Sequence, residues 1–212
     1  MSKVLEFSEL LMTKFCHDIA SSIGAINNGI EFLKEGNDDE IKSKALGIIH
    51  TNGAEAAAKL IFFRYIYGVV KSEGQVDINE LKMLVRDFFN GSKIVVHWNN
   101  YDSEHGVTQV TGRGGKLLLN MIFLAASTLI AGGNINIDLS HGEHSKRMLV
   151  TAAGEKLKVT DDIKVIIQNK ELMDVKLSNV QIHLTAKVAA SLSVVLGCEF
   201  DDSKLVLDAM FS

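Results

Sequence analysis

Two stretches of roughly thirty residues, 7–35 and 38–70, carry apolar side chains at steps of three and four, the mark of long amphipathic helices. The chain has no proline, so nothing of that kind ends or kinks them. The first holds Met12, Phe15, Ile19, Ile23, Ile26, Ile30 and Leu33 as one stripe, on a helix expected from about Phe7 to Glu35. The second carries Ile41, Ala45, Ile48, Ala56, Leu60, Phe63, Ile66 and Val70. Between them, Gly36-Asn37 is a stop signal, and Asp38, Asp39 and Glu40 suit a new helix N-terminus. A lone hairpin of this length leaves much of each stripe wet. Pairing two hairpins into a four-helix bundle covers it, which predicts a homodimer.

Ser72-Glu73-Gly74-Gln75 reads as a linker, giving a helical hairpin over 1–73 and a second domain over 74–212. The second domain begins with a helix capped by Asp77 and reaching Phe89, then a strand at 93–98. Residues 99–115 are polar and contain glycine, so a loop is expected. An apolar helix over Lys116–Ile130 stops at Gly132-Gly133. Strands at 134–139 and 147–152 form a hairpin, with a short element near 163–168 after it. A helix from Leu184 to Leu196, ended by Gly197, precedes strands at 198–200 and 205–210. Helices and mostly antiparallel strands in this order make an α+β sandwich.

A net charge of −4 and the lack of a basic stripe argue against nucleic acid. No apolar run reaches about 18 residues, so no membrane span is expected. The first residues lack a signal-peptide pattern. Cys16 and Cys198 make no CxxC spacing and suit a reducing cytoplasm.

At about 100° per residue, His17 sits roughly 160° from Ile19, on the outer face of the first helix. Thr13, Lys14, Ala20, Ser21, Gly24 and Asn28 surround it there. Imidazole is a nucleophile that titrates near neutrality. The adjacent Asp18 can take the ring proton and hold the other nitrogen ready to attack. The plain alternative is a solvated helical histidine.

Other signals are weaker. Gly112-Arg113-Gly114-Gly115-Lys116 opens a helix but fails the phosphate-loop spacing, with Leu117 where Ser or Thr is needed. His141 and His144 read as solvated side chains at a hairpin tip rather than a metal pair. His50, His97, His105 and His183 have no ligand-like company, so no metal is expected. Cys16 diverges from His17 on the helix and is expected to pack.

Cys16-His17-Asp18 followed by Gly24-Ala25-Ile26-Asn27-Asn28-Gly29 resembles the ChpT-type bacterial histidine phosphotransferases. The order of elements along the whole chain is similar to the dimerisation and ATP-binding halves of sensor histidine kinases. The resemblance implies that His17 carries the phosphoryl group with help from Asp18. It implies docking on Thr13, Lys14, Ala20, Ser21, Gly24 and Asn28 by receiver domains of a hybrid histidine kinase and of response regulators. Such proteins usually place proline five residues after the histidine. Ser22 stands there instead, so a straighter helix is expected.

The nucleotide site of a kinase is degenerate by the same resemblance. Asn120 matches an earlier asparagine, but the magnesium-holding position falls on Leu124, which cannot ligate a hard cation. The adenine-reading acid falls in Ala152-Ala153-Gly154-Glu155-Lys156 and is lost. The last glycine loop corresponds to Asn179-Val180-Gln181-Ile182-His183-Leu184, which has no glycine. No ATP and no resident cofactor are expected, and magnesium would arrive with the receiver. An active kinase core and a non-catalytic dimeric signalling scaffold are the competing readings.

Overall fold

The computed structural model describes residues 3–36, 38–70, 74–99, 107–141, 146–167 and 174–211. The chain divides into two compact units, Met1–Gly68 and Val69–Ser212.

The first unit is a hairpin of α1 (Lys3–Glu35) and α2 (Asp39–Tyr67). Asp38 caps α2, its side chain accepting from the Glu40 amide at 3.0 Å. The seam between the helices departs from the expected stripe. Met12, Ile23 and Ile30 remain 60%, 44% and 37% exposed, while Ser22 and Gly29 are buried. The reason is closeness of approach. Phe15, Ser22, Gly29 and Gly36 stand seven residues apart, so they share one face and three of the four are small. A Cβ on Gly29 would lie 2.8 Å from Ile49 Cγ1, and one on Gly36 would lie 2.8 Å from Ile41 Cγ2. Small residues therefore let α2 lie close, and the larger apolar residues flank that contact. At the wide end of the seam Phe15 packs edge-on against Phe63 at 5.8 Å and Tyr67 at 6.3 Å. On α2, Ala45, Ala56, Phe62, Phe63 and Ile66 are buried, Ile41 and Leu60 are exposed, and Val70 lies beyond the helix. Cys16, expected to pack, is exposed, because one partner helix covers only the face through Phe15 and Ser22.

The second unit is a mixed α/β layer structure. A small antiparallel pair joins β1 (Gln75–Asp77) to β3 (Gln109–Thr111). The main sheet has five strands in the order β2 (Ile94–Asn99), β4 (Gly133–His141), β5 (Lys146–Ala153), β7 (Lys204–Phe211), β6 (Val195–Phe200). Only β2 and β4 run parallel, and the other neighbours are antiparallel. In register, Ile137, Val150 and Leu207 line one row of the core. The helices are α3 (Ile78–Phe89), α4 (Gly112–Thr128), α5 (Asp161–Ile167) and α6 (Val180–Ala190).

Several expected boundaries move: β1 begins at Gln75, within the expected linker, and β3 lies inside the expected loop over 99–115. Gly112, Gly114 and Gly115 belong to the first turn of α4 rather than to a loop, since Thr111 Oγ1 accepts from the Gly114 amide at 3.1 Å and starts the helix. The helix expected over Leu184–Leu196 begins at Val180 and ends at Ala190. Leu192, Ser193 and Val194 turn their amides back onto Ala189 and Ala190, with Ser193 at φ 56°. Gly197 is then not a helix stop but a strand residue opposite Asp208. His144 and His105 lie outside the described residues. Among the described residues no group of three or more metal-binding side chains forms.

Candidate functional site

His17 projects from α1 with its side chain 83% exposed. Its Nδ1 lies 3.5 Å from Asp18 Oδ1, at the outer limit of a hydrogen bond. The contact engages Nδ1 and leaves Nε2 as the ring nitrogen outside it.

Asp18 sits deeper, with its side chain 21% exposed. Its Oδ2 is buried and lies 3.0 Å from Lys14 Nζ, one helical turn earlier. Tyr67 stands on the α2 side. Burial pushes its phenol well above the usual range, and the Asp18 carboxylate adds to that push. Lys14, Asp18 and Ser22 are spaced four apart, so they share the inward face. One turn below Asp18, Ser22 Oγ accepts from Lys59 Nζ at 3.1 Å, and the same ammonium pairs with Glu55 at 2.6 Å. Lys59 and Tyr67 were not singled out in the sequence. The Glu55–Lys59 spacing of four was a faint signal for the first; for Tyr67 there was none.

The residues grouped around His17 separate into two sets. Thr13, Ala20, Ser21, Gly24 and Asn28 are all exposed. Thr13 donates its hydroxyl back to the Glu9 carbonyl at 2.8 Å. A Cβ at Gly24 would meet nothing within 4 Å. Lys14, grouped with them by spacing, instead reaches inward to Asp18 and is half-buried.

Residues 78–204 match the family described as histidine phosphotransferase C-terminal domain. The chain is 32% identical over 156 residues to the protein phosphotransferase ChpT of Brucella abortus (strain 2308), spanning 73% of this chain and 71% of that protein. The chain belongs to the ChpT-type histidine phosphotransferases. A solved structure of a bacterial phosphotransferase matches it with a TM-score of 0.81 at 26% identity, over 99% of this chain and 97% of that one.

In this phosphotransferase the positions that the sequence resemblance set against a kinase nucleotide site are held in packing. Leu124 is buried in α4. Ala152 is buried in β5 between Ile135 and Leu205. At the start of α6, Gln181 Nε2 donates to Asn120 Oδ1 at 2.9 Å, and Asn120 Nδ2 donates to the Lys116 carbonyl at 2.8 Å. Both side chains are buried, so α4 and α6 are tied through an amide pair. Asn179 is also buried. Its Oδ1 accepts from the Lys176 amide at 2.8 Å, which turns it away from capping α6.

Proposed function

We propose that the chain accepts a phosphoryl group from the phosphorylated Asp of a receiver domain onto His17 and passes it to the Asp of a second receiver. The observation that carries this reading is the His17 geometry: an 83% exposed side chain whose Nδ1 lies 3.5 Å from the Asp18 carboxylate, which leaves Nε2 as the nitrogen for attack. Nε2 attacks phosphorus in line, the acyl P–O bond breaks, and the electron pair leaves with the donor carboxylate. Asp18 offsets the positive charge that develops on the ring. The small exposed side chains of Ala20, Ser21 and Gly24 leave room for the close approach that in-line transfer needs. The receivers belong to a hybrid kinase and to response regulators, and any magnesium comes with them.

No ATP takes part in this reading. The buried Leu124 and the Asn120–Gln181 pair support it, because they fill with side chains what a nucleotide would need open. The working form is a homodimer. Met12, Ile23, Ile30, Leu60 and Ile61 are exposed apolar residues on two long helices, and a second hairpin laid against them would bury that area. Light scattering should give about twice the 23.2 kDa chain mass.

The deciding experiment is incubation with a labelled phosphorylated receiver. Label that is lost in acid and kept in base is expected on the unaltered chain. His17→Gln should take none while keeping its fold, since the side chain is exposed. Acid-labile label on that variant would refute the assignment.

A further inference from the structure

Asp18 combines two demands that conflict. To face an imidazole as a base or counter-charge it must be ionised. Yet its Oδ2 is buried, and among the described residues no donor is aligned with it for a hydrogen bond. A buried carboxylate oxygen with no aligned donor is costly unless a charge stands beside it. The opposing charge beside it is Lys14 Nζ at 3.0 Å, on a side chain only 23% exposed. Tyr67, across the seam, is held neutral and supplies no positive charge. Lys59, the cation one turn further along, is engaged by Ser22 and Glu55. The two oxygens of Asp18 are thus divided: Oδ2 to Lys14, Oδ1 to Nδ1 of His17.

We propose that Lys14 is a positioning residue for phosphoryl transfer. It anchors Oδ2 of the Asp18 carboxylate on the inward side, so that Oδ1 meets Nδ1 of His17 and holds the ring in one orientation. The lone pair of Nε2 is then free to form the N–P bond. The proposal rests on His17 being the acceptor. Lys14 does not touch the phosphoryl group. A lysine kept for docking would extend into solvent, and this one is turned back along α1 onto its own acid.

The test compares Lys14→Gln, which keeps length without charge, and Lys14→Arg, which keeps charge. Each is labelled by two donors: a phosphorylated receiver over a concentration series, and phosphoramidate, a small donor with no docking surface. Lys14→Gln is expected to lower the saturated rate about tenfold with both donors, the scale of one contact to a charged group lost from the transition state. The receiver concentration at half rate should not move. Lys14→Arg should restore most of the rate.

A Lys14→Gln variant that needs more receiver but labels normally with phosphoramidate would make Lys14 a docking residue and overturn the proposal. So would a loss that follows the melting temperature and is not restored by Arg. If the unaltered protein took no label on His17 from either donor, the acceptor assignment itself would fall. Normal labelling of the unaltered protein with an unchanged Lys14→Gln rate would remove only the role of Lys14.

Discussion

The ammonium of Lys59 donates a hydrogen bond of 3.1 Å to Oγ of Ser22, joining α2 to α1 five residues past His17. Ser22 is 2% exposed, and Lys59 keeps Glu55 as a second partner at 2.6 Å. Ser22→Ala removes one bond to a charged donor and leaves the ion pair. A loss of about 1–2 kcal/mol is expected, seen as a fall in Tm of a few degrees. The transfer rate per folded molecule should hold, because the Ser22 hydroxyl is engaged by Lys59 on α2. A thermal melt with a rate assay below the transition checks both.

Two glycines of α1 should respond in opposite directions to the same change. Gly29→Ala puts a methyl 2.8 Å from Ile49 Cγ1 and 3.3 Å from the Ala45 carbonyl, so Ile49 must shift and the seam must give by a few tenths of an ångström. A loss of about 1–3 kcal/mol is expected. Gly24→Ala meets nothing within 4 Å and removes backbone entropy from the unfolded chain. It should stabilise by roughly 0.5–1 kcal/mol. Urea titration of the two variants against the parent decides.

The proposed docking face can be blocked sterically. Ser21→Trp and Gly24→Arg each place bulk beside His17 at exposed positions. Both should cut transfer from a phosphorylated receiver by at least about a hundredfold, the cost of misplacing reacting atoms by an ångström. Labelling by phosphoramidate should persist in both. Asn28→Ala, one turn beyond Gly24, should change the rate little. Normal receiver transfer in folded Ser21→Trp would place the approach elsewhere.

His183 gives the second unit an acid limb. It is 7% exposed, and burial holds its imidazole below the ordinary value of 6.5. Lys187 on the same helix pushes the same way, and Asp162 on α5 opposes. The folded state therefore takes up its proton later than the unfolded chain. Its contribution is complete above 6.5 and is lost as pH falls from there through the folded value. Stability of the unaltered protein should drop between about pH 7 and 5, and His183→Gln should flatten that slope. Denaturant midpoints across that range are the measurement. An unchanged slope would place the acid sensitivity elsewhere.

Periodicity read the order of the elements well, because two uninterrupted apolar patterns have few other ways to fold. It misread which residues are buried. Counting apolar positions favoured Ile23 and Ile30, while the hairpin closes on Ser22 and Gly29, whose merit is lack of bulk. A helix with apolar residues on more than one side does not reveal which side meets its own hairpin partner. Gly197 shows the same limit: a glycine after an apolar run resembles a helix stop, and only its pairing with Asp208 makes it a strand residue. At the site, His17 and Asp18 were legible because they are adjacent. Lys59 and Tyr67 reach the same place from the other helix, and no local pattern connects them to it. The inward turn of Lys14 was also invisible, since spacing alone put it among the outward residues.

Ala20, Ser21 and Gly24 leave the ground beside His17 almost bare. A bare surface has little with which to refuse a visitor. For the proposed carrier, loaded by one receiver and unloaded by another, that tolerance would be useful, because one patch would accept two different proteins in turn. The same bareness leaves the patch open to cross-talk from any receiver of similar shape. Selectivity would then have to come from elsewhere on the chain, or be written in by adding side chains at these three positions. A graded series of substitutions there would turn a shared exchange point into a private line between two chosen partners.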